Sequence, residues 1–391
     1  MKLYQVVSIL VLAVMALSMQ LTTSCNATLS TAYDIEFDVP DGAAPTFGSP
    51  EVVQTANHYT ASSPELNVLT YNVFLRPGPV GWGDAIECRG KEIGRELAKR
   101  AANLDIVLLN ESFAKPAIER LVSQLGNRFP YRVLRQPKAQ MMRTNGGLSL
   151  LSRYPIRKVF AKSFDKCSMT DCFATKGFIH AIVEVTSNFR VNVIGTHLDA
   201  GSTGLDRNSR KRQISMIRNY MDHKNVGKTW PTILMGDLNV DGLRGPLVQL
   251  EDPKSEPSEY QSLLGALSDI CSECSGASVF GGGEPKDVIT ARNGPWSYKQ
   301  SNTLPFNTMN CTSQSLSPCD SPNEADNWEE RERLDYIFLF DEMPSSQYAF
   351  RVQSAEHLDF KDDSCGTEYL SDHQAVRATL GIRRPTVASK P

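Results

Sequence analysis

The feature that most restricts what this chain can fold into is a recurring unit: an apolar run that ends in a side chain able to bind a hard cation or move a proton. It occurs as Leu69-Thr70-Tyr71-Asn72, Ile106-Val107-Leu108-Leu109-Asn110-Glu111 and Val193-Ile194-Gly195-Thr196-His197-Leu198. It recurs as Thr232-Ile233-Leu234-Met235-Gly236-Asp237-Leu238-Asn239, and a fifth unit pairs Arg333-Leu334-Asp335-Tyr336-Ile337 with Ser371-Asp372-His373. Short apolar runs bounded by turn signals read as strands buried in a sheet. Strands that end in such groups gather them at sheet edges, where loops can be shaped without disturbing the core.

The intervening sequence alternates strand and helix patterns. Strands are expected at Leu66–Phe74, Leu104–Leu109, Gly147–Ser152, Gly177–Val185, Arg190–Thr196, Thr232–Met235, Leu334–Phe340 and Ala375–Leu380. Helices are expected at Arg89–Asn103, where Ile93, Leu97 and Ala101 recur at helical spacing, and at Lys115–Leu125 and Leu205–Tyr220. Several strands are separated by turn signals alone, which predicts mixed rather than purely parallel sheets. The stretch Gly281 to Asn327 is dense in Gly, Pro, Ser and Asn, a length without periodicity that is uncommon unless functional or tied by disulfides. Its Trp296, Tyr298 and Phe306 read as loop anchors or as a surface that meets lipid.

The start of the chain reads as a targeting segment. Lys2 precedes an apolar run from Val6 to Leu17 and the small polar stretch Thr22-Thr23-Ser24, so residues 1–24 are expected to be a signal peptide and the protein secreted. A variant of that reading makes Cys25 a lipid-bearing residue. Residues 25–64, rich in Thr, Ser, Pro and Gly, are expected to be a loosely structured arm, residues 65–382 the catalytic domain and residues 383–391 a tail. Nine cysteines in an exported chain point to disulfides. Cys167 with Cys172, Cys271 with Cys274 and Cys311 with Cys319 are near enough to close small loops, whereas Cys25, Cys88 and Cys365 have no local mate. Zinc is the competing reading of Cys271 and Cys274, though no second pair completes four ligands. Sequons occur at Asn26, Asn110 and Asn310, of which Asn110 sits at a strand end expected to be catalytic. With 41% hydrophobic and 22% charged residues the chain has the composition of a globular protein, and its net charge of −3 argues against a dedicated nucleic-acid binder.

The chemistry of the five units is that of phosphate-ester cleavage. Glu111 offers a carboxylate and Asn72 an amide oxygen, the donors a magnesium ion takes besides water. Gly236 permits a close backbone approach to a substrate, and Asp237 and Asn239, two apart, project to one side of a strand. His373, with Asp335 to hold its far ring nitrogen, is the pattern of a general base and its orienting partner, while Asp372 turns toward the metal. Each unit alone has a bland explanation as a strand-end acid, a Gly-Asp turn or a helix cap; the five in this order do not.

This ordered set resembles the endonuclease/exonuclease/phosphatase superfamily from Leu66 to Leu380. Within it the chain is similar to the secreted neutral sphingomyelinases, the sphingomyelin phosphodiesterases of phospholipase C type. Three features carry that branch: Thr70-Tyr71-Asn72-Val73-Phe74 followed by Gly81-Trp82-Gly83, Asn110-Glu111-Ser112-Phe113 where nucleases commonly have Gln-Glu, and Asp171-Cys172-Phe173-Ala174-Thr175-Lys176-Gly177-Phe178. Thr196-His197-Leu198-Asp199-Ala200 also fits, with Asp199 where Gln is usual. The resemblance implies an α/β fold, a four-layered sandwich of two mixed sheets packed face to face and flanked by helices. It implies magnesium, with Mn2+ or Co2+ as substitutes, held by Glu111 and Asn72 with Asp372 nearby. His373, oriented by Asp335, would deprotonate the attacking water, Asp237 and Asn239 would place that water or stabilise the phosphorane-like transition state, and His197 would contact a phosphate oxygen as a cation, with Lys176 at or behind the phosphate. Trp82, Tyr71 and Phe113 are candidates for choline contact. The lipid-dipping hairpin of similar secreted members would fall at Met343 to Asp363, which offers Tyr348, Phe350 and Phe360. The implied partner is a sphingomyelin-containing membrane, with no nucleic acid or protein partner, and a monomer is expected. The alternatives are a secreted deoxyribonuclease of the same superfamily, for which Arg207, Arg210, Lys211 and Arg212 would track phosphates, another phosphodiesterase of that superfamily, or a binding module that kept the fold without the chemistry.

Overall fold

Two helical crossovers decide the architecture, because parallel neighbours in a sheet can be joined only by a long connection. The computed structural model describes residues 34–38, 51–54, 65–77, 81, 84–134, 143–227, 229–242, 259–268, 286–287, 333–340, 349–367 and 369–383. Strands β1 (Asp34–Asp38) and β2 (Glu51–Gln54) precede β3 (Glu65–Leu75). Helix α1 (Ile86–Arg100) leads to β4 (Ile106–Ser112), and α2 (Lys115–Leu125) to β5 (Tyr131–Leu134) and β6 (Ser149–Ser152). Strands β7 (Ile156–Ser163), β8 (Gly177–Thr186) and β9 (Phe189–His197) form a meander before α3 (Gly204–His223) and β10 (Thr232–Asp237). Helix α4 (Glu259–Ser268) and strands β11 (Lys286–Asp287), β12 (Asp335–Phe340), β13 (Ala349–Leu358) and β14 (Ala375–Arg383) follow.

These strands make two seven-stranded sheets, ordered β1-β7-β8-β9-β10-β12-β11 and β13-β14-β3-β4-β6-β5-β2. Among the described pairings, β3 with β4 and β9 with β10 are parallel, and α1 and α3 are their crossovers. The C-terminal ends of β3, β4, β9 and β10 therefore arrive at sheet edges beside one another. Because β12 runs antiparallel to β10 and β14 antiparallel to β3, the entries to those strands lie at the same edges.

The period-two side-chain alternation of each strand splits its residues between two cores. Leu108 joins Leu66, Val68, Ile179, Val193 and Ile233 between the sheets, whereas its neighbours Val107 and Leu109 pack outward with Ile93, Leu97, Ile118 and Leu121 under α1 and α2. On the far side Leu234 and Phe338 pack with Ile214 and Ile217 of α3 and Leu263 of α4. The result is helix, sheet, sheet, helix: the four-layered sandwich expected. Helix α3 opens on a capping box between Thr203 and Asp206, which ends the loop after β9 sharply.

Some elements differ from the sequence reading. Residues 25–64, expected as a loose arm, contribute edge strands β1 and β2, each held by pairing to β7 or β5. Strands β7 and β13 carry polar residues along much of their length and also form through their partners. In the stretch expected to hold a lipid-dipping hairpin, Phe350 and Phe360 are buried, and Phe360 packs on Tyr71 with ring centroids 4.6 Å apart. Tyr348 lies outside the described residues, as do Trp296, Tyr298, Phe306, Asn26 and Asn310.

The fold supplies a mate for two cysteines that had none locally. Cys88 in the first turn of α1 is bonded to Cys365, 277 residues away, in the short turn Asp363–Cys365, and Cys167 is bonded to Cys172 as expected. Cys25, Cys271, Cys274, Cys311 and Cys319 lie outside the described residues. Closing a loop that long removes much of the unfolded chain's freedom, so Cys88→Ser is expected to lower unfolding free energy by about 2–5 kcal/mol. Denaturant titration of the oxidised protein checks this; an unchanged midpoint would count against the bond.

Candidate active site

Strand register assembles the site. Asp237, at the end of β10, lies level with His197 on β9 and with Asp335 on β12, and across the other sheet Asn72 lies level with Asn110. The two sheets then approach closely at this end. Gly236 sits at φ 143, where a Cβ would collide with the Thr196 carbonyl of the adjoining strand β9 and crowd Asn110 of the facing sheet, and a Cβ on Gly195 would collide with Leu108 of that sheet. The close approach that Gly236 permits is thus to protein, not to substrate as its position suggested. Across this narrow gap Asn110 Nδ2 donates to Thr196 O at 2.7 Å and Asn72 Nδ2 donates to Asp237 Oδ2 at 2.8 Å. Asn110 is fully buried, which excludes it as a glycan acceptor in the fold.

At the strand ends the chain turns through strained backbone. Phe74, Glu111 and Asn239 have φ of 50, 54 and 50, a left-handed conformation that costs a non-glycine residue about 1–2 kcal/mol. Two of these turns are built alike: Asn72 Oδ1 accepts from Phe74 N at 3.1 Å, and Asp237 Oδ1 accepts from Asn239 N at 2.9 Å. Asn239 has therefore left the strand, and its Nδ2 donates to Leu198 O at 3.0 Å. Its proximity to Asp237 comes from this turn rather than from strand periodicity. Buried Arg89 braces the first turn by donating to Phe74 O at 2.6 Å, Val73 O at 3.2 Å and Leu370 O at 2.9 Å. Ser371 Oγ donates to Asn72 O at 2.6 Å, so the segment carrying Asp372 and His373 is fastened to the end of β3.

His373 Nδ1 lies 2.6 Å from Asp335 Oδ2, and its Nε2 lies 3.9 Å from Asp237 Oδ2. Burial alone would depress the imidazole, but Asp335, through charge and hydrogen bond, and then Asp372 and Asp237 hold it well above the ordinary histidine range. The Asp237 carboxyl is pushed up to about 7, first by burial and then by the charge of Asp335. His197 behaves in the opposite way: burial, Lys176 and His373 hold it well below the usual value, so it is neutral rather than the cation expected. The fixed positive charge is Lys176, whose Nζ lies 3.2 Å from His197 Nε2 and donates to Leu198 O at 2.8 Å. An ammonium can only donate, so Nε2 accepts and Nδ1 carries the ring proton. That Nδ1 is buried without a hydrogen-bond partner among the described residues.

Glu111 and Asp372 form the second half of the site. Burial and then the Asp372 charge raise the Glu111 carboxyl, against the opposing pull of Lys176, the Asn72 amide at 3.3 Å and His373. Two acidic side chains placed together, with the Asn72 amide beside them, are the donor chemistry of a hard divalent cation. Asp237, Asp335 and His373 also bring three ligand atoms within 4.8 Å of one another. A ring nitrogen suits magnesium poorly, however, and Nδ1 is already held by Asp335, so that cluster is better matched to proton handling.

A strand-edge site of this kind occurs in a large family, and the family model of endonucleases, exonucleases and phosphatases matches residues 69–373, which include every group just described. The chain belongs to the endonuclease/exonuclease/phosphatase family. Its family relatives include sphingomyelinase C of Leptospira interrogans, 31% identical over 227 residues that cover 51% of this chain and 39% of that protein. Sphingomyelinase C of Bacillus cereus is 27% identical over 228 residues, covering 54% of this chain and 65% of that protein. The matched region thus spans less than two thirds of each relative's length. Among family structures, a substituted beta toxin from Staphylococcus aureus with bound magnesium ions superposes with a TM-score of 0.53 at 22% identity, covering 80% of this chain and 99% of that one. At that identity the likeness concerns the fold.

The remaining expected residues divide. Trp82 lies outside the described residues, while Tyr71 and Phe113 are buried and serve packing rather than a cleft. Of the basic cluster on α3, Arg210 is buried and forks onto Glu259 at 2.7 and 2.8 Å, Arg212 pairs with Asp165 at 2.7 Å and Arg207 lies 3.7 Å from Glu259. Asp199, where similar chains have Gln, accepts from Ser168 N and Ser209 Oγ, both at 2.7 Å, and so ties the loop after β9 to the disulfide loop. Two residues of this family site were not anticipated. Asp171, within the Asp171–Phe178 motif, pairs with Lys176 at 2.9 Å, and Arg89 braces the end of β3 and Leu370 before Ser371; no pattern in the sequence sets Arg89 apart from an ordinary surface charge.

Because the native state binds a proton at Asp237 that the unfolded chain releases near pH 4, the metal-free protein gains stability from this group below about pH 4. That gain is lost as the pH rises through 7. In chelator, the stability of the native protein relative to Asp237→Asn should therefore fall between pH 4 and 7. Urea midpoints of the two proteins across that range check the sign, and a difference that rises with pH would contradict it.

Proposed function

We propose that this protein is a secreted, magnesium-dependent phosphodiesterase that hydrolyses sphingomyelin to ceramide and phosphocholine. The observation that carries the chemistry is the Asp335–His373–Asp237 chain beside the Glu111 and Asp372 carboxylates at one strand edge. Its resemblance to the two sphingomyelinases C supports the branch, and the magnesium of the beta toxin agrees with the oxygen donors here. Glu111 and Asp372, with the Asn72 amide, would hold the ion, which when bound would screen the charge of the phosphodiester and polarise it.

The chain's own groups account for the proton. Asp335 accepts the Nδ1 proton of His373 and leaves Nε2 toward the cleft, where it removes a proton from water oriented by Asp237. The three carboxylates around His373 keep it protonated until positive charge near Asp372 offsets their field. Water attacks phosphorus in line, the bond to the ceramide oxygen breaks, and that oxygen takes a proton from solvent water and leaves as the alcohol, while the proton held by His373 returns to solvent. His197, neutral and with a proton on Nδ1, and Lys176 supply hydrogen bond and charge to the phosphate oxygens. Export agrees with the two disulfides, which persist in oxidising compartments. Among the described residues no helix is long and apolar enough to cross a membrane.

The test is to incubate the protein with sphingomyelin liposomes and with plasmid DNA, in magnesium and in chelator. Phosphocholine release that needs magnesium, with intact plasmid, is the expected result; nicked plasmid with silent liposomes would favour the nuclease reading, whose basic patch on α3 is largely engaged in ion pairs. His373→Ala should lower turnover about 100- to 10,000-fold with an unchanged circular dichroism spectrum. Comparable turnover would remove His373 from the mechanism. Glu111→Gln should raise the magnesium concentration for half-maximal rate at least about tenfold, the scale on which a lost ligand acts. An unchanged magnesium requirement would place the ion elsewhere.

A further inference from the structure

Among the described residues the exposed large apolar side chains are Met169, Phe173 and Leu205, at 59, 40 and 66% exposure. They are not scattered. Met169 and Phe173 bound the short helical turn Met169–Phe173, which overlaps the loop closed by Cys167 and Cys172, and Leu205 lies in the first turn of α3. These two segments are sewn together. Ser168 N donates to Asp199 Oδ2 at 2.7 Å, Ala200 N donates to Asp171 Oδ2 at 2.5 Å, and Gln213 Nε2 donates to Lys166 O at 2.9 Å. Asp171 also pairs with Lys176, so the turn that displays Met169 and Phe173 is fastened to the phosphate-facing groups of the site.

Neither packing nor backbone preference explains this display. Met169 is held at φ 44, an unfavourable conformation for its residue type, and exposing three large apolar groups forgoes their burial. The charges around them have one sign. Lys166 and Lys211 are exposed, while Arg207, also exposed, lies 3.7 Å from Glu259. The carboxylates of the same two segments are engaged: Asp165 with Arg212, Asp171 with Lys176, Asp199 with Ser168 and Ser209, and Asp206 in the capping box of α3. Apolar tips set among cations on a rigid base match a bilayer surface, where phosphates lie outside and acyl chains begin just beneath.

We propose that Met169, Phe173 and Leu205 seat the enzyme on the lipid bilayer that holds its substrate, beside the cleft that receives the headgroup. This rests on the sphingomyelin reading, and it moves the lipid contact from residues 343–363, whose Phe350 and Phe360 are core residues, to the disulfide loop and the start of α3. The disulfide and the cross-loop hydrogen bonds keep the apolar tips from folding inward.

The proposal is tested with a variant carrying Met169→Ser, Phe173→Ser and Leu205→Ser. Cosedimentation with sphingomyelin–phosphatidylcholine vesicles reads docking, and hydrolysis is measured on the vesicles and on a monomeric short-chain sphingomyelin. Since each apolar side chain placed in the acyl boundary is worth roughly several-fold to tenfold in affinity, the variant should lose about a hundredfold in vesicle binding and vesicle turnover. Turnover of the monomer should stay within about twofold. Undiminished vesicle binding overturns the proposal, as does an equal loss on both substrates, which would assign these residues to the cleft. A second variant, Phe173→Trp, should show fluorescence shifted to the blue by vesicles, and unshifted emission would contradict insertion. Native protein that binds vesicles through these residues yet hydrolyses neither substrate supports the docking surface and sinks the sphingomyelin reading. Hydrolysis of both substrates with docking undisturbed by the substitutions does the reverse.

Discussion

The close approach of the two sheets at one end is the constraint on which the site depends. Gly195 and Gly236 remove the side chains that would hold β9 and β10 away from Leu108 and Asn110, and two asparagine amides then cross the gap. Asn72 is the more consequential of the two. Its amide touches both Glu111 and Asp237, so one planar group sets the spacing between the cation-binding half and the proton-handling half. A buried amide with its hydrogen bonds satisfied is costly to displace, which makes it a rigid spacer.

The same narrow gap creates the electrostatics. Asp237 and Asp335 are buried beside Glu111 and Asp372, and burial with mutual repulsion raises Asp237 and Glu111. Lys176 and His373 offset part of that negative charge, while His197 is kept neutral between them. The site is thus short of positive charge by its own construction, a condition that favours binding of a cation. Strained turns at Phe74, Glu111 and Asn239 are tolerated because Arg89, Ser371 and the strand-end side chains over-determine them.

The loops around this edge are held by different means on its two sides. On one, Cys88 and Cys365 join α1 to the turn that precedes β14, and Arg89 reaches Leu370 from the same helix. On the other, the Cys167–Cys172 loop, Asp171 and Asp199 link the segment before β8 to the loop after β9. Both arrangements serve the same physical end, since loops that carry polar groups over a cleft cannot be fixed by apolar packing.

The apolar runs by themselves determined the sandwich: Val107-Leu108-Leu109 needs two cores, one on each face, and the alternation of such runs with the helical pattern of Ile93 and Leu97 leaves few architectures other than layered sheets with flanking helices. The order of Asn72, Glu111, His197, Asp237, Asp335 and His373 was likewise legible as one strand-edge cluster, because each adjoins a run the core must bury. Other matters were not legible. Polar strands such as β7 and β13 take their conformation from pairing, Cys88 and Cys365 are mates only through the fold, and Phe360 is apolar whether it meets lipid or Tyr71. The charge on His197 and the brace of Arg89 also depend on neighbours more than a hundred residues distant. Periodicity reports which face of an element is buried, and so it determined the layers and the chemistry at their edge. Only the tertiary structure decided which charges share that edge, because burial and Coulomb interaction act through distances that sequence does not contain.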